Sequence, residues 1–388
     1  MRILILTPRL PWPPIDGGRI AMARLAEGLV RAGAEVEILS LNPRKHRAVA
    51  APLIPTQAID IDTSRIIGPA FAKRIPFLVA RFVSEEFREA LRKTLRRFAP
   101  DVVQIESPFL LPYVDVVRSE SSARVVLRSL NVEFRIWEGL ARIERNPLRR
   151  FALRRIASSL REYEVRQLNV PDAIVAISND DAADFRRLGG TRPIHVVPCG
   201  VTVAETKSDA PIANNVGFIG SLDFRPNQEA VEWIVEELWP LVIERVPQAR
   251  LSIAGSGVPY WLRRRMTGAD FRGSVEDATA FMNSMSVMIA PLFAGGGMRI
   301  KVLEAMALAK PVVATTLGAG GLVAEHGRDI LIADDAASFA DAVALLLRDS
   351  QTAARIGGAA REMVRSRYDN EVLARRLLTF YESLSSPG

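Results

Sequence analysis

Short apolar runs alternate along the chain with segments whose apolar residues return every three or four positions, and the alternation recurs nearly from end to end. Residues 2–7 (RILILT) read as a strand, 8–19 (PRLPWPPIDGGR) as a turn-rich loop and 20–33 (IAMARLAEGLVRAG) as a helix that Gly33 stops. VEILSL at 36–41 is the next strand, so the chain opens on a β-α-β unit with a parallel pair. A helix over about 84–98 feeds strands at 100–107 (PDVVQIES) and 123–129 (ARVVLRS). The Arg-rich stretch 138–169 has helical spacing and leads into a strand at 172–178 (DAIVAIS) and a helix from about Asp180.

The pattern then restarts. Residues 198–215 (PCGVTVAETKSDAPIANN) have no sustained period and are rich in turn formers, as an interdomain linker is. Beyond them come a strand at 216–221 (VGFIGS), a helix over 227–246, strands at 249–257 and 270–275, helices at 259–267 and 276–284, and strands at 287–292, 311–316 and 329–333, before helices to the end. Alternation of this kind predicts α/β architecture: two doubly wound Rossmann-like domains, about 1–198 and 205–367, facing across a cleft, with ligands at the carboxyl ends of the strands.

Composition narrows the classes. At 388 residues with 48% hydrophobic and 24% charged positions, the chain is neither disordered nor a small stapled scaffold. One cysteine, Cys199, cannot form an intrachain disulfide, and His46, His195 and His326 are scattered, so a His/Cys metal site is not expected. The first apolar run is too short for a signal core and no later run approaches about 18 residues, which predicts a cytoplasmic protein, at most attached to the inner face of the membrane. Charge is lopsided: Lys and Arg outnumber Asp and Glu by 32 to 22 in residues 1–200 and trail by 19 to 22 thereafter. The excess lies in 65–98 and 142–166, interleaved with apolar residues, and reads either as attraction to anionic lipid or a polyphosphate-bearing acceptor, or as Arg-rich helices packed through their apolar sides. Nucleic acid is disfavoured, since neither zinc-finger spacing nor an aromatic RNA-binding motif is present.

The most informative segment is AGGGMRIKVLEAMA, 294–307. Glycines directly before a helix let backbone N–H groups approach an anion at the positive end of the dipole. Arg299 and Lys301 stand in the first turn, where the dipole opposes cations by about 0.3–1 kcal/mol, which points to a bound anion such as phosphate rather than to a flexible loop. Glu304, amid apolar neighbours, is either a ligand carboxylate or a partner of the helix N-terminus. Near the start, Gly17 and Gly18 would let the first loop pass close to a ligand or simply turn into the helix, and Asp16 is a ligand contact or an ordinary helix-start acid. Asp60-Ile61-Asp62 spells a DxD pattern but lies on an alternating apolar/acidic run, so a metal there is not expected.

The stretch 294–323 resembles the donor-binding region of retaining GT-B glycosyltransferases, in particular glycosyltransferase family 4. Gly17-Gly18, VVPCGV (196–201), VGFIGSLDFRPNQEAV (216–231), LSIAGSG (251–257) and FRGSVED (271–277) look like that family's landmarks in order, and SLNVEFRIWE (129–138) resembles bacterial sugar transferases of polysaccharide assembly. The resemblance implies that Glu304 holds the nucleotide's ribose hydroxyls, and that Arg299 and Lys301, with amides of the loop through Gly296, Gly297 and Met298, hold the donor pyrophosphate. It makes Arg225 a further phosphate-binding cation, with Ser221 and Asn227 nearby in the donor loop. Arg272, Gly273 and Val275 would border the nucleobase. It also implies a last helix, about 368–388, packed back on the first domain. The implied activity is retaining, metal-independent transfer of a sugar from a nucleoside-diphosphate sugar to a saccharide or lipid-linked acceptor, with no resident cofactor.

The chain departs from the family at three places: Gly296 stands where a second glutamate is usual, Leu130 where His is frequent, and Cys199 where Asn is. Glu106, Asn131 and Glu133, at strand ends, are the acceptor-side candidates, with surface-loop polarity as the plain alternative. Two other readings stay open from sequence: a non-catalytic nucleotide-sugar-binding protein on the same scaffold, and an epimerase, for which no acid/base set can be placed.

Overall fold

A computed structural model describes residues 1–14, 16–44, 54–63, 75–144, 146–203, 211–294 and 298–385. Two compact units result: Met1–Gly200 with Asn370–Gly388, and Val201–Asp369.

The first unit is built on seven parallel strands: β1 (Arg2–Thr7), β2 (Glu35–Pro43), β3 (Thr56–Ile61), β4 (Val102–Ile105), β5 (Arg124–Ser129), β6 (Ala173–Ala176) and β7 (Ile194–Val196), in the order β3-β2-β1-β4-β5-β6-β7. Strands β1, β4, β5 and β6 are almost wholly buried, which is why they read as unbroken apolar runs. The helix Gly17–Arg31 covers one face, and the helix Asn370–Ser385 lies along it. There Leu373, Ala374, Leu377 and Tyr381 join Ile3, Ile5, Ala26 and Leu29 in one core. Ser84 caps the helix Glu85–Phe98 by accepting from the Phe87 N–H, and Phe87, Leu91 and Leu95 bury its apolar stripe against β4 and its neighbours.

The second unit repeats the plan with six parallel strands, β8 (Asn215–Ile219), β9 (Arg250–Ala254), β10 (Asp270–Gly273), β11 (Val287–Ala290), β12 (Val312–Ala314) and β13 (Leu331–Ile332), ordered β10-β9-β8-β11-β12-β13. Its core joins Val216, Ile253, Val287, Ile289 and Val313 of the sheet to Ile234, Leu238 and Phe339 of the helices.

Two expected helices are interrupted. The stretch 138–169 is two helices, Glu133–Ile143 and Pro147–Gln167; Asn146 accepts from the N–H groups of Leu148 and Arg149, and Pro147 occupies the first helical position, where its missing N–H costs nothing. The stretch 227–246 runs Arg225–Trp233, then one π-helical turn at Ile234–Leu238, then Trp239–Arg245, the widened turn falling where Pro240 cannot donate. Strands β3 and β7, at opposite edges of the first sheet, are additions to the expected set.

Candidate active site

In the second unit all strands run parallel, so their carboxyl ends share one edge, and the loops there are locked together. The Gly220 N–H donates to the Ala254 carbonyl (3.1 Å), Leu222 to Ser256 (2.7 Å) and Gly255 to Gly273 (2.8 Å). A side chain at Gly255 would stand 2.0 Å from the Gly220 carbonyl oxygen, so only glycine lets these two turns meet. Asn227 donates from Nδ2 to the Ser221 carbonyl (2.8 Å), and Ser221 Oγ donates to Asp223 (2.8 Å). Both donor-loop candidates therefore shape the loop itself. Thr315, which sequence reasoning passed over, accepts from the Leu292 and Gly318 N–H groups and donates to the Leu292 carbonyl at 2.6 Å, pinning the loops after β11 and β12. Nothing marks that threonine within the apolar run PVVATT.

On this edge begins the helix Ile300–Ala307, with Arg299 as its N-cap residue. Burial lowers the Arg299 guanidinium from its usual range, as expected of a cation withdrawn from water. Lys301 Nζ donates to Glu304 Oε2 at 2.8 Å, so the two groups assigned to different parts of a donor hold one another. Glu304 is the more enclosed, its side chain 11% exposed against 37% for Lys301. Met298 is half-buried beside them; Gly296 and Gly297 lie outside the described residues.

Two further candidates are held by partners within the second unit. The Arg225 guanidinium pairs with Glu229 (3.0 Å) one turn along its own helix and lies 5.8 Å from the Trp261 ring centroid. Arg272 is tied to Asp270 (2.7 Å) on the edge strand β10, while Gly273, at φ +65°, gives its carbonyl to Gly255, and Val275 is half-buried just beyond.

In the first unit the corresponding edge is tightly paired. Asp16 is the N-cap of the helix Gly17–Arg31, accepting from the Arg19 N–H (3.1 Å) and from Arg9 Nη2 (2.8 Å), and that guanidinium lies against Gly18, with Gly17 exposed. Asp16 is thus engaged as a helix-start acid. Glu106 corrects an expectation: it does not line a loop but is buried, with Arg128 Nη1 at 2.8 Å from its Oε2. Gln104 donates to Glu106 and accepts from the Tyr381 hydroxyl. Burial pushes the Glu106 carboxyl up against the pull of Arg128 and Gln104, and raises the neighbouring Cys199 thiol to about 11. A core arginine needs such a partner, which explains the carboxylate's position. The Asn131 carbonyl accepts from Ser129 Oγ (2.6 Å). Glu133 opens the helix Glu133–Ile143, whose first N–H groups donate to Glu164 at 3.1 and 2.9 Å. Burial, with the Glu164 charge adding to it, pushes the Glu133 carboxyl up to about 8, and burial takes Glu164 to about 7. Of the DxD pair, Asp60 accepts from Asn42 Nδ2 (2.8 Å) and Asp62 lies 3.8 Å from Arg44. Among the described residues no three His, Cys, Asp or Glu side chains gather as metal ligands would.

Two parallel α/β sheets in separate units, the second carrying a cation-bearing helix start at the carboxyl edge of its strands, define the GT-B class of glycosyltransferase. Residues 15–205 match the family model described as Glycosyltransferase Family 4, and residues 213–349 that described as Glycosyl transferases group 1. The chain is a glycosyltransferase of the family 4 type. It is 24% identical to a protein of the cps region of Klebsiella pneumoniae, over 87% of this chain and 89% of that one. It is 33% identical to the phosphatidyl-myo-inositol mannosyltransferase of Mycobacterium leprae, over 50% of this chain and 54% of that protein, about half its length. The fold matches Anabaena HepE in complex with UDP and glucose, with a TM-score of 0.70 at 15% identity over 99% of this chain and 100% of that one.

Proposed function

We propose that the enzyme transfers a sugar from a nucleoside-diphosphate sugar to a saccharide or lipid-linked glycan, with retention of anomeric configuration and without a metal ion. The observation that carries this reading is the grouping of Arg299, Lys301 and Glu304 within the start of one helix on the carboxyl edge of the second sheet. The bound UDP and glucose of HepE and the mannosyltransferase likeness support it.

Glu304, held by Lys301, is a bidentate acceptor suited to the two ribose hydroxyls, while Lys301 turns toward phosphate when donor binds. Breaking the bond from the sugar C1 to the diphosphate oxygen leaves negative charge on the diphosphate. Arg299, Lys301 and the first N–H groups of the helix stabilise that charge more in the transition state than in the ground state. The acceptor oxygen bonds to C1 on the departing face, and its proton passes to a phosphate oxygen of the leaving group. Two cations and a helix N-terminus on the diphosphate offset much of its charge, which supports transfer without a divalent ion. Arg225, held by Glu229, plays at most a supporting part.

Thermal melting with UDP, GDP and ADP, each with and without EDTA, tests the donor site: ligand at about 100 times its Kd raises stability by about 2.7 kcal/mol. One diphosphate should shift the wild type equally in both buffers and shift Arg299→Ala clearly less. A shift that disappears with EDTA would rule out metal independence, and an inverted anomer in the product would rule out retention.

A further inference from the structure

The helix Pro147–Gln167 has two unlike halves. Its C-terminal half is anchored, with Ala157, Leu160, Tyr163 and Glu164 buried in the first unit. Its N-terminal half, in the hairpin with the helix Glu133–Ile143, leaves an outer face open: residues 146–152 are all exposed, Leu148 at 80% and Phe151 at 65%. At about 100° per residue, Phe151 points away from the inward-facing Ile156 and Leu160, and Leu148, Arg154 and Arg155 flank it on the outer surface. Arg149, Arg150, Arg154 and Arg155 make no ion pair among the described residues, in contrast to Arg166, which pairs with Glu162. From 145 to 161 the sequence holds six arginines and no acidic residue.

We propose that this exposed helix face is a docking surface for anionic lipid: Leu148 and Phe151 enter the boundary between headgroups and acyl chains while the arginines engage lipid phosphates. Two exposed apolar side chains alone would fit any hydrophobic partner. The charge decides between them. A second copy of the chain meeting this face by a two-fold axis would set arginines against arginines, whereas an anionic bilayer satisfies both the cations and the apolar pair. Among the described residues no helix is long and apolar enough to cross a membrane, so attachment of this kind is by surface contact. The inference is independent of the donor reading, because its readout is lipid binding and not transfer.

The test is sedimentation of the full-length protein with phosphatidylcholine vesicles and with vesicles that also contain phosphatidylglycerol. The wild type should pellet with the second and not the first, and less as salt rises. Leu148→Ser/Phe151→Ser and Arg154→Gln/Arg155→Gln should each weaken binding about tenfold or more, with melting temperatures unchanged because the positions are exposed, while Arg166→Gln binds as wild type. Absence of binding to the anionic vesicles, or unchanged binding in both double variants, overturns the proposal. So does light scattering that shows a dimer converted to monomer by Leu148→Ser/Phe151→Ser, which would assign the face to a second copy.

Discussion

Two carboxylate–cation pairs, both closed at 2.8 Å, sit in opposite circumstances: Glu106–Arg128 in the core of the first unit, each side chain 1% exposed, and Glu304–Lys301 at the open edge of the second. In sequence they look alike, a glutamate and a cation among apolar residues. The first has exchanged water for a fixed set of partners, with Gln104 on Glu106 and Tyr381 on Gln104, and is closed off from solvent. The second keeps its lysine in water and closes on itself where a polyanion could open it. Burial, more than residue type, separates a pair that holds the fold from a pair that can serve chemistry.

Breaking the buried pair should have the largest effect. Arg128→Ala leaves Glu106 uncompensated in the core and should cost about 3–5 kcal/mol of unfolding free energy, read by urea denaturation. Arg128→Met with Glu106→Leu should recover most of it, since an apolar pair of similar volume needs no partner. A single variant as stable as the wild type would show that the pair does not hold the core.

The pair also marks how far the sequence could be read. Strands 2–7 and 123–129 were legible as β1 and β5 because parallel strands buried on both faces are unbroken apolar runs. The helix start at 300 was legible because glycines and cations directly precede an apolar helical pattern. Glu106 and Arg128 are 22 residues apart and meet only because β4 and β5 pair with Ile105 opposite Leu127, a register no local pattern reveals. Arg9 on Asp16 and Glu164 on the start of the helix Glu133–Ile143 are tertiary contacts of the same sort. The breaks at Pro147 and Pro240, by contrast, had a local signal, a proline inside each helical pattern, that the reading of single helices over 138–169 and 227–246 passed over.

At the exposed pair the effect should move from stability to ligand binding. Lys301→Ala or Arg299→Ala should weaken nucleoside-diphosphate affinity by about 1–3 kcal/mol in titration calorimetry and leave the ligand-free melting temperature within about 2 °C. A melt lowered as far as that of Arg128→Ala would make the two pairs equivalent and remove the contrast.

A pH-dependent effect tests a buried carboxylate set beside a second one, Glu164, with the Arg9 charge pulling the other way. Glu133, raised to about 8, holds its proton in the folded state where the unfolded chain has lost it. The folded state then binds more protons, so this group's contribution falls as pH rises from the ordinary carboxylate range through about 8. Glu133→Gln should abolish that fall and make the protein clearly more stable than wild type at pH 8, with a much smaller difference at pH 5. Equal stability of the two proteins across the range would mean that Glu133 ionises freely.

The smallest effect is expected where the cation is already satisfied at the surface. Arg225 pairs with Glu229 one helical turn away and lies beside Trp261, about half exposed. Exposed pairs at this spacing contribute about 0.3–0.5 kcal/mol, so Arg225→Ala should barely move the melt. If the guanidinium stays with Glu229, nucleotide affinity should fall by no more than about twofold, the equivalent of that same small energy. If affinity falls as far as in Lys301→Ala, Arg225 leaves Glu229 for the diphosphate. Glu229→Gln/Glu232→Gln separates the two cases further: it removes both carboxylates paired with the arginine, and so raises affinity only if those pairs compete with the ligand.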